Sequence, residues 1–121
     1  MKTTVRITKN FKKEAKPLIK KYPSLINDLF QLEKELLITP RSGVPLGNNT
    51  YKIRLKISSK GKGKSGGARI ITLIETIIIG ITELNENNEI VVNLISIYDK
   101  SDIENISEKE LKELIISFKK E

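Results

Sequence analysis

Between Lys52 and Arg69 the chain carries Lys52, Arg54, Lys56, Lys60, Lys62, Lys64 and Arg69, and no acid. The first half of this stretch alternates. Tyr51, Ile53, Leu55 and Ile57 fall on one face of a strand, and Lys52, Arg54 and Lys56 fall on the other. The second half is a glycine-rich loop bearing Lys60, Lys62 and Lys64. A sheet that buries one face and shows a row of cations on the other is suited to lie against a polyanion.

What other chemistry the chain could perform is narrowed by what it lacks. It has no cysteine and no histidine. That removes disulfides, thiolate or imidazole metal sites, the Ser-His-Asp triad and any imidazole base. Proton transfer would fall to Lys, Arg, Tyr, Asp or Glu. Gly63-Lys64-Ser65 resembles the end of a phosphate-binding P-loop, but Ser58 stands where that motif needs its first glycine. The residues that follow, Ala68 to Ile74, read as strand rather than helix. A basic hairpin loop fits better than a nucleotide site.

Charge is unevenly spread over the 121 residues. The net is +7, made of +13 over residues 1–69 (17 cations, 4 acids) and −6 over residues 70–121 (5 cations, 11 acids). This argues for a basic working face and an acidic C-terminal region. The length suits a single domain, 1–121, with one core. The polar N-terminus and the lack of a long apolar run predict a cytoplasmic protein.

The elements that must position the basic stretch follow from periodicity. Thr3 to Thr8 reads as a short strand. Asn10 is the expected N-cap of a helix whose face is Phe11, Ala15, Leu18, Ile19 and Tyr22. Pro17 should kink or weaken that helix, and Lys12, Lys13, Lys16 and Lys20 form its solvated side. Ser24 caps a second helix marked by Leu25, Leu29, Leu32 and Leu36, ending before Pro40. Thr39 to Thr50 is loop by composition. Ala68 to Thr82, apolar on both faces, reads as a central strand, Leu84 to Asn88 as a turn, and Glu89 to Tyr98 as another strand. Ser107-Glu108-Lys109-Glu110 is a capping-box pattern that opens a last amphipathic helix. The expected fold class is α+β: a helical hairpin and a C-terminal helix on a small, mainly antiparallel sheet. Its last three strands form a meander, and the N-terminal strand is added to it.

The loop Gly61-Lys62-Gly63-Lys64-Ser65-Gly66-Gly67-Ala68-Arg69-Ile70 follows an Ile53-Arg54-Leu55-Lys56 strand. Later come Ile97-Tyr98-Asp99-Lys100-Ser101 and the Ser107 helix, and earlier Lys21-Tyr22-Pro23-Ser24-Leu25. Together these resemble the RelE/ParE superfamily of toxins from type II toxin–antitoxin systems, in particular its RelE and HigB-like branch. The resemblance implies a RelE-like fold and an endoribonuclease that cuts messenger RNA in the ribosomal A site. It calls for no cofactor and no metal, and for a cognate antitoxin as partner beside messenger RNA on the ribosome. It assigns catalysis to Arg69, Tyr98 and the cluster Lys56, Lys60, Lys62 and Lys64. Lys52, Arg54 and Lys100 would bind RNA. Arg69 would hold the scissile phosphate through its fixed guanidinium fork. A lysine lowered in pKa by its neighbours would serve as acid or base. Tyr98 would stack on a base or share in proton transfer. Arg69 could instead be a strand-start residue and Tyr98 a core residue. Asp99 could orient a lysine or simply end a strand. Phe11, Phe30 and Phe118 read as helix core, which leaves Tyr51 and Tyr98 as stacking candidates. Two other functions suit the same residues: a ParE-like inhibitor of DNA gyrase without nuclease activity, and a non-catalytic RNA-binding module.

Overall fold

The computed structural model describes residues 2–60, 66–78, 88–100 and 105–121. Strand β1 (Lys2–Ile7) leads into helices α1 (Lys9–Lys21) and α2 (Leu25–Ile38). Strands β2 (Val44–Gly47), β3 (Thr50–Leu55), β4 (Ala68–Ile78) and β5 (Asn88–Asp99) follow, then helix α3 (Glu108–Lys119). The sheet order is β1-β5-β4-β3-β2. Every pairing is antiparallel except β1 with β5, which is parallel. The α+β class and the β3-β4-β5 meander agree with the sequence reading.

Helices cover both faces. Phe11, Ala15 and Leu18 of α1 and Leu25, Leu32 and Leu36 of α2 pack with Ile53, Leu55, Ile70, Val92, Leu94 and Ile97. On the other face Ile71, Leu73, Ile95 and Tyr98 pack with Leu111 of α3, joined by Leu114, Ile115 and Phe118. β4 and β5 are therefore apolar on both sides, as central strands between two helical layers must be.

Several local expectations need correction. Thr8, not Asn10, is the N-cap of α1, because its Oγ1 accepts the Phe11 amide at 3.1 Å. The Asn10 side chain instead donates to Glu14 and to the Ile95 carbonyl. The helix runs on through Pro17. Ser24 stands at the α2 cap position but makes no side-chain cap; its hydroxyl serves Asp28 and Ser59. Residues 39–50 are not all loop. β2 pairs with β3 through a turn in which Asn48 and Asn49 take positive φ of 53° and 60°. Asparagine tolerates that region, and two such residues in succession suit a tight hairpin. Phe30 is not core: it is 56% exposed. The expected strand residues 79–82 and turn residues 84–87 lie outside the described residues, and Asn88 already belongs to β5.

Gly67 closes the entry to β4. A Cβ there would sit 2.0 Å from the Leu55 carbonyl oxygen. Gly67→Ala should therefore destabilise the fold by about 3 kcal/mol, since backbone must shift to admit the methyl group. A chemical denaturation curve superimposable on wild type would refute this.

Candidate nucleic-acid interface

Strand register builds the site. Arg54 of β3 lies opposite Arg69 of β4, and Arg69 lies opposite Tyr98 of β5. The three side chains form one row across neighbouring strands, each step about 4.8 Å. Tyr98 joins this row because β5 carries a bulge. Ile71 pairs with Ser96 while Thr72 pairs with Leu94, so Ile95 is an extra residue. Strict alternation would have put Tyr98 beside Leu94 in the α1/α2 core. The bulge turns it to the α3 face, into the cluster with Ile71 and Ile95.

The row is graded in exposure. Arg54 is exposed, Arg69 is 3% exposed and Tyr98 is 6% exposed. Arg69 donates from Nη1 to the Ala68 carbonyl at 3.2 Å. Burial and the neighbouring Arg54 charge lower its pKa, against the pull of Tyr98. Guanidinium stays protonated under such a shift. Burial raises the pKa of Tyr98, with Glu110 adding to it and the Ile106 backbone and Arg69 opposing. Its hydroxyl is buried without a well-formed hydrogen bond among the described residues. Tyr98 is therefore both packed and in register with the two arginines.

Other candidate cations are placed as follows. Lys52 shares the Arg54 face of β3 and donates to Asn105 Oδ1 at 3.3 Å. Lys56 is exposed just past the end of β3, where its charge helps keep Asp28 ionised. Lys100 is half-buried, and its amide donates to the Gly67 carbonyl at 3.1 Å. Lys62 and Lys64 lie outside the described residues.

Lys60 stands apart. Its ammonium meets Asp99 Oδ1 at 2.7 Å, and Tyr22 donates its hydroxyl to Asp99 Oδ2 at 2.5 Å. The ammonium also lies 5.3 Å from the centre of the Tyr22 ring. Asp99 thus does orient a lysine. The lowered pKa expected within the lysine cluster is not found at this one. Burial alone would lower it, but the hydrogen bond and charge of Asp99 prevail and raise it. Sequence reading placed Tyr22 only on a helix face and missed its part in this network. It also missed Asp28, which accepts from Ser24 Oγ and from the Ser58 amide and hydroxyl, and so fixes the turn at Ser58–Lys60. Bonds to these donors, against the opposing effect of burial, hold the Asp28 carboxyl below the usual range. Tyr51 packs against the α1/α2 core.

A cleft of about 290 Å³ opens beside Tyr98 between α1, β5 and α3, with Glu14, Ser96, Glu110 and Glu113 in its lining. Glu14 accepts there from Asn10 and from Ser96 at 2.8 and 2.7 Å. The cationic row is thus bordered by carboxylates on one side. No cluster of three His, Cys, Asp or Glu that could hold a metal ion occurs among the described residues. Among them, no helix is long and apolar enough to cross a membrane.

No protein-family model matches the chain, and no curated protein matches it.

Proposed function

We propose that the chain is the toxin of a type II toxin–antitoxin system and a metal-independent endoribonuclease that cuts messenger RNA, with the ribosome presenting the substrate. The observation that carries this reading is the row Arg54–Arg69–Tyr98, in register on one sheet face with Lys52 beside it. The resemblance of the Gly-Lys loop and the Tyr98-Asp99-Lys100 segment to RelE-like toxins supplies the activity.

RNA brings its own nucleophile, the ribose 2′-hydroxyl. Its attack on phosphorus forms a 2′,3′-cyclic phosphate and releases a 5′-hydroxyl. Lys52, Arg54 and Lys56 guide the backbone, and Arg69 sits next in the row to meet the charge growing on phosphorus. Tyr98, whose pKa is raised by burial, keeps its proton at neutral pH. That suits it to stack on a base or to donate a proton, not to accept one. Lys60 is held as an ammonium by Asp99, which leaves Lys62 and Lys64 of the resembled cluster as the candidates to take the 2′ proton. The partner in this reading is an acidic antitoxin, because a +13 segment left free would bind cellular RNA broadly.

The test is a translating extract supplied with a defined messenger. Cuts within codons, insensitive to chelator and ending in cyclic phosphate, are expected. An intact messenger together with gyrase-dependent DNA breaks in induced cells would overturn the reading in favour of a gyrase inhibitor. RNA binding without cuts would leave an RNA-binding module.

In the same assay Tyr98→Phe should keep more activity than Tyr98→Ala, because the ring is retained. Its stability should stay within about 1 kcal/mol of wild type, since the buried hydroxyl makes only a weak interaction with the Ile106 backbone. Equal inactivity of the two variants would show that the hydroxyl takes part in the chemistry.

A further inference from the structure

The stretch that carries Lys62 and Lys64 is tied at both ends to consecutive residues at the end of β5. At its entry the Lys60 ammonium meets Asp99 Oδ1 at 2.7 Å. At its exit the Gly67 carbonyl accepts the Lys100 amide at 3.1 Å. Asp99 and Lys100 directly follow Tyr98, and Asp99 pairs with Ala68 as Tyr98 pairs with Arg69. Tyr22 reaches this junction from the helical layer. It caps α1, its amide donating to the Leu18 carbonyl and its carbonyl accepting the Leu25 amide, so both helices fix its backbone. Tyr22 is 9% exposed, and its hydroxyl donates to Asp99 Oδ2 at 2.5 Å. The Asp99 side chain is fully buried. A carboxylate taken out of water holds one orientation when donors meet both of its oxygens.

We propose that Tyr22 is a positioning residue, which acts through Asp99 to fix both ends of the Gly-Lys stretch beside Tyr98. The hydroxyl orients the carboxylate, the carboxylate holds Lys60, and the next residue, Lys100, holds Gly67. Asp28 gives the entry a second tie through the Ser58 amide and hydroxyl. Lys62 and Lys64 lie between the two ends in sequence, so chain length alone keeps both near Arg69 and Tyr98. Attack on phosphorus and proton transfer depend steeply on such distances. Tyr22 itself packs with the α1/α2 core, on the sheet face opposite Tyr98, and so acts on the row from behind. Its effect on rate rests on the nuclease reading; the junction it completes does not.

The experiment uses the full chain, with lysine side chains labelled with nitrogen-15, and the variant Tyr22→Phe, which keeps the buried ring and removes only the hydroxyl. Wild type should show a slowly exchanging ammonium signal, assigned to Lys60 by its loss in Lys60→Arg. Tyr22→Phe should speed the exchange of that signal and of the Lys100 amide by about tenfold or more. In a translating extract the same variant should lower kcat by about tenfold at an unchanged KM. Phe11→Leu, a core change on α1 away from the junction, is the control. It should lower the thermal midpoint at least as far as Tyr22→Phe does, and leave kcat and the Lys60 signal unchanged. No slow ammonium signal in wild type, or unchanged exchange in Tyr22→Phe, would overturn the proposal. So would faster exchange at wild-type kcat, or an equal fall of kcat in Phe11→Leu, which would trace the loss to stability. If wild type cuts no RNA, the nuclease reading fails, and the exchange rates alone decide the junction.

Discussion

Arg69→Met should leave a folded protein that no longer arrests growth. Methionine keeps the length and apolar stem of a side chain that is 3% exposed, so the packing between β3 and β5 survives. What is lost is the guanidinium next to Arg54 and Tyr98. Removing one donor aimed at developing charge costs on the order of a hundred- to a thousandfold in rate. Cleavage in a translating extract should fall by that factor, with the thermal midpoint within a few degrees of wild type. Arg69→Lys should recover part of the charge but not the two-pronged geometry, and should stay well below wild type. Undiminished growth arrest by folded Arg69→Met would remove Arg69 from the mechanism.

Asp99→Asn should destabilise the fold. It leaves the Lys60 ammonium, 13% exposed, beside a neutral amide. Asn still offers an oxygen to the ammonium, so what is lost is the charge assistance of that bond, about 1.5–3 kcal/mol. The pH dependence follows from the raised Lys60 pKa. A lysine whose folded pKa exceeds its unfolded value stabilises fully below the unfolded value and ceases to as pH rises through the folded one. Wild type should therefore hold this contribution through neutral pH and lose it in the alkaline range above the ordinary lysine value. Asp99→Asn should be weaker at neutral pH and show a shallower alkaline decline. In a Lys60→Met background Asp99→Asn should cost less than in wild type, because the ion pair is already absent. Parallel wild-type and Asp99→Asn stability curves from neutral to alkaline pH would rule out the ion pair as their cause.

The sequence made the fold legible where a face repeats. Ile53, Leu55 and Ile57 alternate and are buried, and the Ser107–Glu110 capping box is present with both of its reciprocal bonds. It was misleading where one residue breaks the count. Nothing in the run Glu89 to Tyr98 announces the extra residue Ile95, so strict alternation would put Tyr98 on the opposite face. Two asparagines at positive φ hid the hairpin of β2, since β2 is short and holds a proline. Within the site, strand alternation fixed the face of Lys52, Arg54 and Lys56. It could not separate Lys60 from them, because Lys60 lies beyond the strand and its position is set by Asp99 and Tyr22, 39 and 38 residues away. Phe30 shows the same limit: helical spacing marks a face as apolar without saying what will cover it.

The parallel pairing of β1 with β5 bears on when the arginine row can assemble. Thr4 lies opposite Val91 and bonds to Glu89, 85 residues away in sequence. β5, an interior strand that joins β1 to β4, is thus the last strand to be made, and the arginine row gains Tyr98 only when it arrives. Contacts so distant in sequence close slowly and late. A growing chain on its own ribosome therefore holds Lys52, Arg54 and Arg69 before it holds the face that aligns them. The delay separates synthesis of the basic residues from assembly of the row they belong to.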